Sequence, residues 1–249
     1  MKRLALLLLV TVAATSACTK KVATDQLISQ FTKHFDQQGD RYTEELAAMT
    51  PEKRATYITL QLSKELGAKD VWMLDFDRDG NAGQVLIAEF KARDKDPHIS
   101  VISACLDDPA ACSAVLDVMD AFKQAKIRPA NAVRAVFYDG CASGAEGIRV
   151  MNDDFKQSYE LAVFDLEVSS CDSIPERTFI IEDKPVFANQ LVEVIPAYIK
   201  PVSDVKFEIG DFPRKNWPST IPTYRYRLGT PADRLSDLKV LTAFTLLLN

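Results

Sequence analysis

The sequence predicts a three-layer αβα sandwich whose central sheet is mixed and mainly parallel. Predicted strands alternate with predicted helices of roughly 12–16 residues, the pattern of chains that cover a sheet on both faces. Residues 132–138 and 161–168 are apolar enough for strands buried on both faces, as the middle strands of a parallel sheet are. The composition, with 47% hydrophobic and 26% charged residues, is that of an ordinary globular domain.

The helices are predicted from apolar spacing and from their caps. They cover residues 24–38, 51–66, 109–122 and 235–248. Gly39 ends the first helix, and the pair Thr50-Pro51 supplies a cap and a proline at the first helical position of the second. Asp108-Pro109 begins the third helix in the same way.

Strands are predicted over residues 71–76, 84–90, 99–104, 132–138, 161–168 and 223–228. The first two form a hairpin, and the stretch 179–198 fits either strands or a short helix. Cys105, Cys141 and Cys171 each follow the carboxyl end of a predicted central strand, and Cys112 lies in the first turn of the next helix. Ligands bind at that edge of open α/β sheets, so we expect the four cysteines near any functional site.

The N-terminus has the features of a bacterial lipoprotein signal. Lys2 and Arg3 precede an apolar run over residues 4–14, which is shorter than the about 20 residues that span a bilayer. The small residues before Cys18 resemble a lipobox, where the cysteine is acylated and becomes the mature N-terminus, although Thr15 replaces the usual leucine. Cleavage without lipid and a free cysteine are the alternatives.

This N-terminus predicts three segments and a location. Residues 1–17 are a signal peptide, 18–23 a short tether, and 24–249 one domain. Several acyl chains on Cys18 would anchor an exported protein to the cell envelope, at the outer membrane if the host is Gram-negative.

The charge of the mature chain bears on its partners. Without Lys2 and Arg3, the chain has 28 basic and 35 acidic residues. Since there is no basic excess to neutralise phosphates, we exclude nucleic acid as a partner.

The four cysteines after Cys18 predict two disulfide bonds, because an exported chain with an even number usually pairs them. The candidates are Cys105, Cys112, Cys141 and Cys171, and the sequence does not choose among the three pairings. A zinc site made of all four thiolates is the alternative. No CxxC pair, which such sites prefer, is present.

Several motifs at the predicted strand ends resemble those of one enzyme family. Ala104-Cys105-Leu106-Asp107 stands where the family has Ala-His-x-Asp, and Asp108-Pro109-Ala110-Ala111-Cys112 where it has Asp-Asn-Ala-Ser-Gly. Residues 133–147 are similar to its strand with Gly-Gly-Glu-Glu, and the pair Leu166-Glu167 to its Leu-Asp. Ser203-Asp204-Val205 is similar to Ser-Asp-His. The family is the family-28 metallopeptidases: di-zinc aminopeptidases and relatives such as glutaminyl cyclases.

The resemblance runs from about Thr50 to Asn249 and implies a zinc aminopeptidase-like fold with a degenerate metal site. The matched positions are Cys105, Asp107, Asp108, Cys141, Ala142, Glu167 and Val205. Both imidazoles and the general base are replaced, the base by Cys141, so catalytic di-zinc chemistry is not expected. Asp108 and Glu167 would at most form a weak site for calcium or magnesium.

These observations predict a non-catalytic lipoprotein without a cofactor, in which disulfides tie together the strand ends that metal joins in the family. It would bind a peptide or envelope protein, or serve a structural role. The alternative is a metal-dependent peptidase of the family-28 type with unusual ligands, for which zinc would be required.

Other candidate sites are weaker. Asp75, Asp77 and Asp79 start like a calcium loop, but Leu86 stands at the twelfth position, so a hairpin turn is expected. Tyrosine and arginine alternate over residues 224–227. This pattern predicts an edge strand with one solvent-exposed face, or alternatively an anion-binding surface at the rim of the site. His34 and His98 are expected to be solvated, which leaves Ser143 and Cys141 without a base for nucleophilic catalysis.

Overall fold

The computed structural model describes residues 26, 28–78, 80–92, 98–139, 147, 150–151, 153, 162–170, 174–182, 195–197, 199, 202–210 and 223–247. The predicted signal peptide, Cys18 and the tether lie outside these residues. Among the described residues no helix combines the length and the apolarity needed to cross a bilayer.

One eight-stranded sheet carries the fold. The strands are β1 (Asp70–Arg78), β2 (Asn81–Phe90), β3 (Ile99–Cys105), β4 (Ala132–Tyr138), β5 (Ala162–Ser169), β6 (Thr178–Glu182), β7 (Lys206–Gly210) and β8 (Thr223–Arg227). Their spatial order is β1-β2-β4-β3-β5-β8-β6-β7. The four middle strands β4, β3, β5 and β8 are parallel to one another, which confirms the predicted fold class.

Within the described residues, five α-helices have continuous ranges, and they pack on one face of the sheet. They are α1 (28–38), α2 (Thr43–Ala47), α3 (Pro51–Leu60), α4 (Pro109–Gln124) and α5 (Arg234–Leu247), and a π-helical turn (Gln61–Glu65) extends α3. Alternate residues of the middle strands, such as Ala104 and Leu166, join α4 and α5 in the larger hydrophobic core. A smaller core on the other face includes Val101, Val136 and Met151.

Most predicted elements agree with the structure to within a few residues, and β4 has the predicted bounds. Two findings differ. β7 has no counterpart among the predicted strands, because it is a short edge strand with only partial burial. β8, predicted as an edge strand, lies between β5 and β6, and its Tyr224 and Tyr226 are fully buried. The stretch that was ambiguous by sequence contains β6 and helical residues 195–197.

The expected hairpin of β1 and β2 is present in the structure. Asp75 pairs with Gln84 and Asp77 with Ala82 across an antiparallel ladder, and Gly80 has the positive φ of a tight turn. Asp79 lies outside the described residues.

His34 does not have its predicted environment. Its side chain is only 10% exposed, and Nε2 lies 3.8 Å from the Asp120 carboxylate on α4. Burial lowers the pKa of His34 although Asp120 opposes the shift. The prediction of a solvated residue is wrong because α1 packs this side chain against α4. His98 is exposed before β3, as predicted.

A polar cluster joins three helical segments. The buried Asp117 of α4 accepts a hydrogen bond from Arg41 N, and its Oδ2 lies 3.2 Å from Arg234 Nη2. Asp40 Oδ2 lies 3.1 Å from Arg234 Nε, and Ser113 Oγ accepts from Arg234 Nη2 at 2.7 Å. Arg234 therefore holds the start of α5 against both α4 and the segment before α2.

Asp117 gives the stability of the fold a pH dependence. Burial raises the pKa of Asp117 to about 8; Arg234 opposes the shift and Asp40 adds to it. The folded chain thus binds this proton more tightly than the unfolded chain. Its contribution to stability is complete below the unfolded pKa near 3.8 and is lost as the pH rises through about 8. Asp40 has a lowered pKa, so its protonation changes the stability of the fold only at more acidic pH.

We expect Asp117→Asn to flatten the fall in the free energy of unfolding between about pH 5 and pH 8, by at most about 1.4 kcal/mol per pH unit. Urea unfolding of wild type and variant at a series of pH values measures the difference. Other carboxyls with raised pKa, such as Asp237, stay in both proteins and cancel. Parallel pH curves would contradict the assignment.

Candidate functional site

The predicted site residues lie at one edge of the sheet. The four parallel strands run in the same direction, so their carboxyl ends lie at a common edge of the sheet, here called the carboxyl edge. The last residues of these strands are Cys105 (β3), Tyr138 (β4), Ser169 (β5) and Arg227 (β8). β6 is antiparallel to β8 and parallel to β7, which brings Val205 to the same edge from before β7. Cys141, Ala142 and Cys171 lie outside the described residues, although they follow β4 and β5 in the chain.

Asp108 is fully engaged in holding the backbone. As the N-cap of α4 it accepts a hydrogen bond from Ala111 N at 3.0 Å, which satisfies a free helix donor. Ser170 donates to the same carboxylate twice, from its backbone N and from Oγ, each at 2.6 Å. The side chain therefore ties the start of α4 to the end of β5.

The carboxylate of Glu167 forms an ion pair with a cationic side chain. Its Oε1 accepts a 2.6 Å hydrogen bond from the Tyr138 hydroxyl. Its Oε2 accepts from Arg225, at 3.0 Å from Nε and 2.9 Å from Nη2. The Glu167 side chain is 10% exposed and that of Arg225 19%. The guanidinium thus supplies the positive charge that faces this carboxylate.

The two described cysteines differ in state. Cys105 is in a disulfide bond whose other cysteine lies outside the described residues. Cys112 is a buried free thiol that donates to Cys105 O at 3.0 Å. Burial raises its pKa, so it stays protonated. The prediction that Cys112 joins a disulfide is therefore wrong, because the first turn of α4 points its sulfur into the core.

Acidic residues border Cys105. Asp107 is exposed, and its backbone N lies 3.4 Å from the Cys105 sulfur. Asp139, which directly follows β4, accepts from Gln84 N at 3.0 Å. Burial raises the pKa of Asp139; this hydrogen bond opposes the shift, and the charges of Asp107 and Glu52 add to it. This corner of the carboxyl edge is therefore negatively charged.

Gly147 belongs to the stretch 133–147 that resembles the family motif, and its surroundings explain why a glycine is needed there. A Cβ at this position would lie 2.6 Å from Asp139 O and 2.8 Å from the Tyr138 Cβ. Only a residue without a side chain lets the segment after β4 approach the strand end so closely.

Val205 cannot ligate a metal and instead packs in the larger core, 5% exposed. A second polar cluster, which includes Ser203, was not predicted from the sequence. Arg177 donates to Ser236 Oγ at 2.9 Å and to Ser203 Oγ, and its Nε lies 3.3 Å from Asp237 Oδ1. The cluster joins the segments before β6 and β7 to α5.

Thr230-Pro231-Ala232-Asp233 forms a helix start. The Asp233 carboxylate accepts from Thr230 N at 3.1 Å and from its Oγ1 at 2.7 Å. This capping box begins the turn that leads into α5.

The described residues at the carboxyl edge do not fit a zinc pair. A catalytic zinc needs three protein ligands of nitrogen or oxygen and an open position. Within the described part of the chain, no three His, Cys, Asp or Glu side chains are grouped so that they could hold a metal ion. Asp108 is held by backbone and hydroxyl donors, and Glu167 by Arg225 and Tyr138.

Comparison with known proteins places the fold. No family model matches the chain, and no curated protein does. Among solved structures, LapB from Legionella pneumophila matches with a TM-score of 0.66 at 14% identity, over 87% of this chain and 73% of LapB. A Zn-dependent exopeptidase from Parabacteroides distasonis gives 0.61 at 14% identity, over 82% and 94%. Glutaminyl cyclase from Porphyromonas gingivalis gives 0.57 at 13% identity, over 90% and 95%. At this identity the likeness establishes that the chain has the fold of Zn-dependent exopeptidases, and it does not extend to their activity.

Proposed function

We propose that this chain is a non-catalytic envelope lipoprotein whose aminopeptidase-like domain binds a peptide or protein partner at the carboxyl edge or serves a structural role there. The contact between Arg225 and Glu167 is the observation that carries the proposal. The fold resembles Zn-dependent exopeptidases, but a guanidinium contacts the carboxylate that matches a zinc ligand. Zinc could reach Oε2 only by displacing a partly buried ion pair, at a cost of several kcal/mol.

Three replaced groups support the loss of hydrolysis. Cys105 stands at the position of a ligating histidine and is in a disulfide bond, so its sulfur is not a thiolate ligand. Val205 stands at the position of the other histidine and has no donor atom. The general base matches Cys141 in the sequence, and loss of such a base alone commonly costs about 100- to 10,000-fold in rate.

The proposal is tested by metal content and hydrolysis together. We expect the purified chain, dialysed against zinc, to retain no stoichiometric metal and to leave an aminoacyl amide intact. Glu167→Gln, which keeps an acceptor for Tyr138, should behave identically. Retention of about two zinc equivalents, with hydrolysis that a chelator stops and Glu167→Gln reduces, would establish the alternative of a metallopeptidase with unusual ligands.

The disulfide of Cys105 belongs to the same proposal. We propose that it fastens the end of β3 to a neighbouring strand end where metal ions join these segments in the family. Disulfides typically contribute about 2–4 kcal/mol to stability. Peptide mapping of the exported protein under non-reducing conditions should find Cys105 linked to Cys141 or Cys171, and Cys112 free. Detection of Cys105 as an alkylated thiol would contradict this.

Anchoring is proposed on the sequence of residues 1–18, which has a signal peptide and a lipobox-like cysteine. Acylation of Cys18 would hold the domain at the membrane surface of the envelope, the outer membrane in a Gram-negative host. A partner bound at the carboxyl edge would cross-link to a photoreactive residue in place of Asp107, and not to one in place of the exposed Ser63 on the π-helical turn. A purely structural role would give cross-links at neither.

A further inference from the structure

A groove lies at the opposite edge of the sheet from the candidate site. It is formed where β2 ends, where α4 ends, and where the chain turns into β4, and its volume is about 400 Å³. Its apolar part includes the buried Leu66, Phe122 and Ile127. Phe90 pairs with Val133 in the ladder of β2 and β4, which places the groove at the amino end of the parallel strands.

Four basic side chains surround this apolar part: Lys91, Lys123, Lys126 and Arg128. All four are exposed. Within the described part of the chain, none of them has a carboxylate within the 4.0 Å of an ion pair. Glu89, on the nearby β2, is already paired with Lys69 and Arg134. In a chain with a net charge of −5, the described lining of this groove therefore contains four basic residues and no acidic one.

The N-terminal segment reaches the fold at the same end. α1 runs antiparallel to α4, because Asp40 after α1 contacts Ser113 near the start of α4, whereas His34 contacts Asp120 further along it. The first residues of α1 therefore lie toward the end of α4. Nine residues separate Cys18 from residue 28, and the ten residue steps between these two positions span at most about 36 Å in an extended chain.

We propose that the basic groove docks on anionic phospholipid headgroups of the membrane, an inference that rests on the Cys18 anchor of the proposed function. Lysine ammonium groups and an arginine are suited to phosphate oxygens, and the apolar residues between them can receive the glycerol and first methylene groups. Each basic residue near an anionic surface contributes about fivefold to membrane partition. Docking here turns the carboxyl edge, with Asp107 and Glu167, away from the membrane.

Hydrogen exchange on vesicles tests the proposal with the processed full chain. We expect backbone amides of residues 122–129 to exchange several-fold more slowly on vesicles of phosphatidylcholine with phosphatidylglycerol than on phosphatidylcholine alone. The double variant Lys123→Glu/Lys126→Glu should lose this difference. The control Lys53→Glu/Lys206→Glu makes the same charge change at exposed positions near the carboxyl edge, and it should keep the difference.

Three results would overturn the proposal. Equal exchange on both kinds of vesicle would show that the groove does not contact headgroups. An equal effect of the control variant would show that only net charge matters. Slower exchange with inorganic phosphate and no vesicles would identify a site for a soluble anion. None of these results bears on whether the carboxyl edge hydrolyses peptides, which metal content and hydrolysis test separately.

Discussion

Replacing Arg225 with methionine is expected to lower the free energy of unfolding by about 3–5 kcal/mol. The substitution removes the guanidinium that contacts Glu167 Oε2 and leaves the carboxylate, which is only 10% exposed, without that charge. The change keeps most of the aliphatic volume, so the loss reports the ion pair more than the packing. Urea unfolding in a buffer of fixed pH and salt measures it.

The double variant Glu167→Gln/Arg225→Met is the control. The glutamine keeps an oxygen acceptor for the Tyr138 hydroxyl and carries no charge, so most of the lost stability should return. Arg225→Met should also be less destabilised in mildly acidic than in mildly basic buffer. An unpaired Glu167 would have a raised pKa, and the stability of such a group is lost as the pH rises. A single-variant loss below about 1 kcal/mol, as for exposed pairs, would refute the pairing.

Arg54→Met is expected to cost about 3 kcal/mol or more. The Arg54 side chain is 4% exposed and donates to three backbone carbonyls: Leu46 O at 3.2 Å, Met49 O at 2.8 Å, and Leu106 O. Each buried carbonyl left without a donor costs about 1–3 kcal/mol. The Leu106 contact holds the loop between Cys105 and Asp108, so the variant should also loosen that loop.

The matched control for Arg54 is Arg41→Met. Arg41 is 48% exposed, and its nearest approach to Asp120 is 3.8 Å, so its loss should cost at most about 1 kcal/mol. Thermal unfolding ranks the two variants, and hydrogen exchange over residues 105–108 reports the loop. Equal stabilities of the two variants would contradict the structural role of Arg54.

The architecture could be predicted because its signals are local. The apolar run of residues 132–138 is β4 itself, and Asp108-Pro109 begins α4 where the sequence indicates. β7 was not predicted, since Lys206, Phe207 and Glu208 form a short edge strand with little burial. The sequence pattern of β8 led to the wrong prediction that it is an edge strand. Alternation of tyrosine and arginine indicates two unlike faces, but it does not say whether a neighbouring strand covers the edge.

In the candidate site, too, some features could be predicted from the sequence and others could not. Topology alone brought Cys105, Asp108 and Glu167 to one edge of the sheet, as predicted. The partners of these side chains were not predictable. Ser170 is 62 residues from Asp108, and Arg225 is 58 from Glu167. Cys112 was predicted to pair by cysteine count, whereas the direction of its side chain in the first turn of α4 leaves it a free thiol.

By itself the sequence determined the order of most strands and helices, with β7 missing, and the absence of imidazoles at the positions that the resemblance matches. These follow from residue type and from periodicity, which act over a few neighbouring residues. Only the tertiary structure decided that Glu167 faces a guanidinium, that Arg54 caps three carbonyls, and that four cations surround one apolar groove. Such contacts depend on where the packed helices and sheet place distant side chains, and no local pattern encodes that distance.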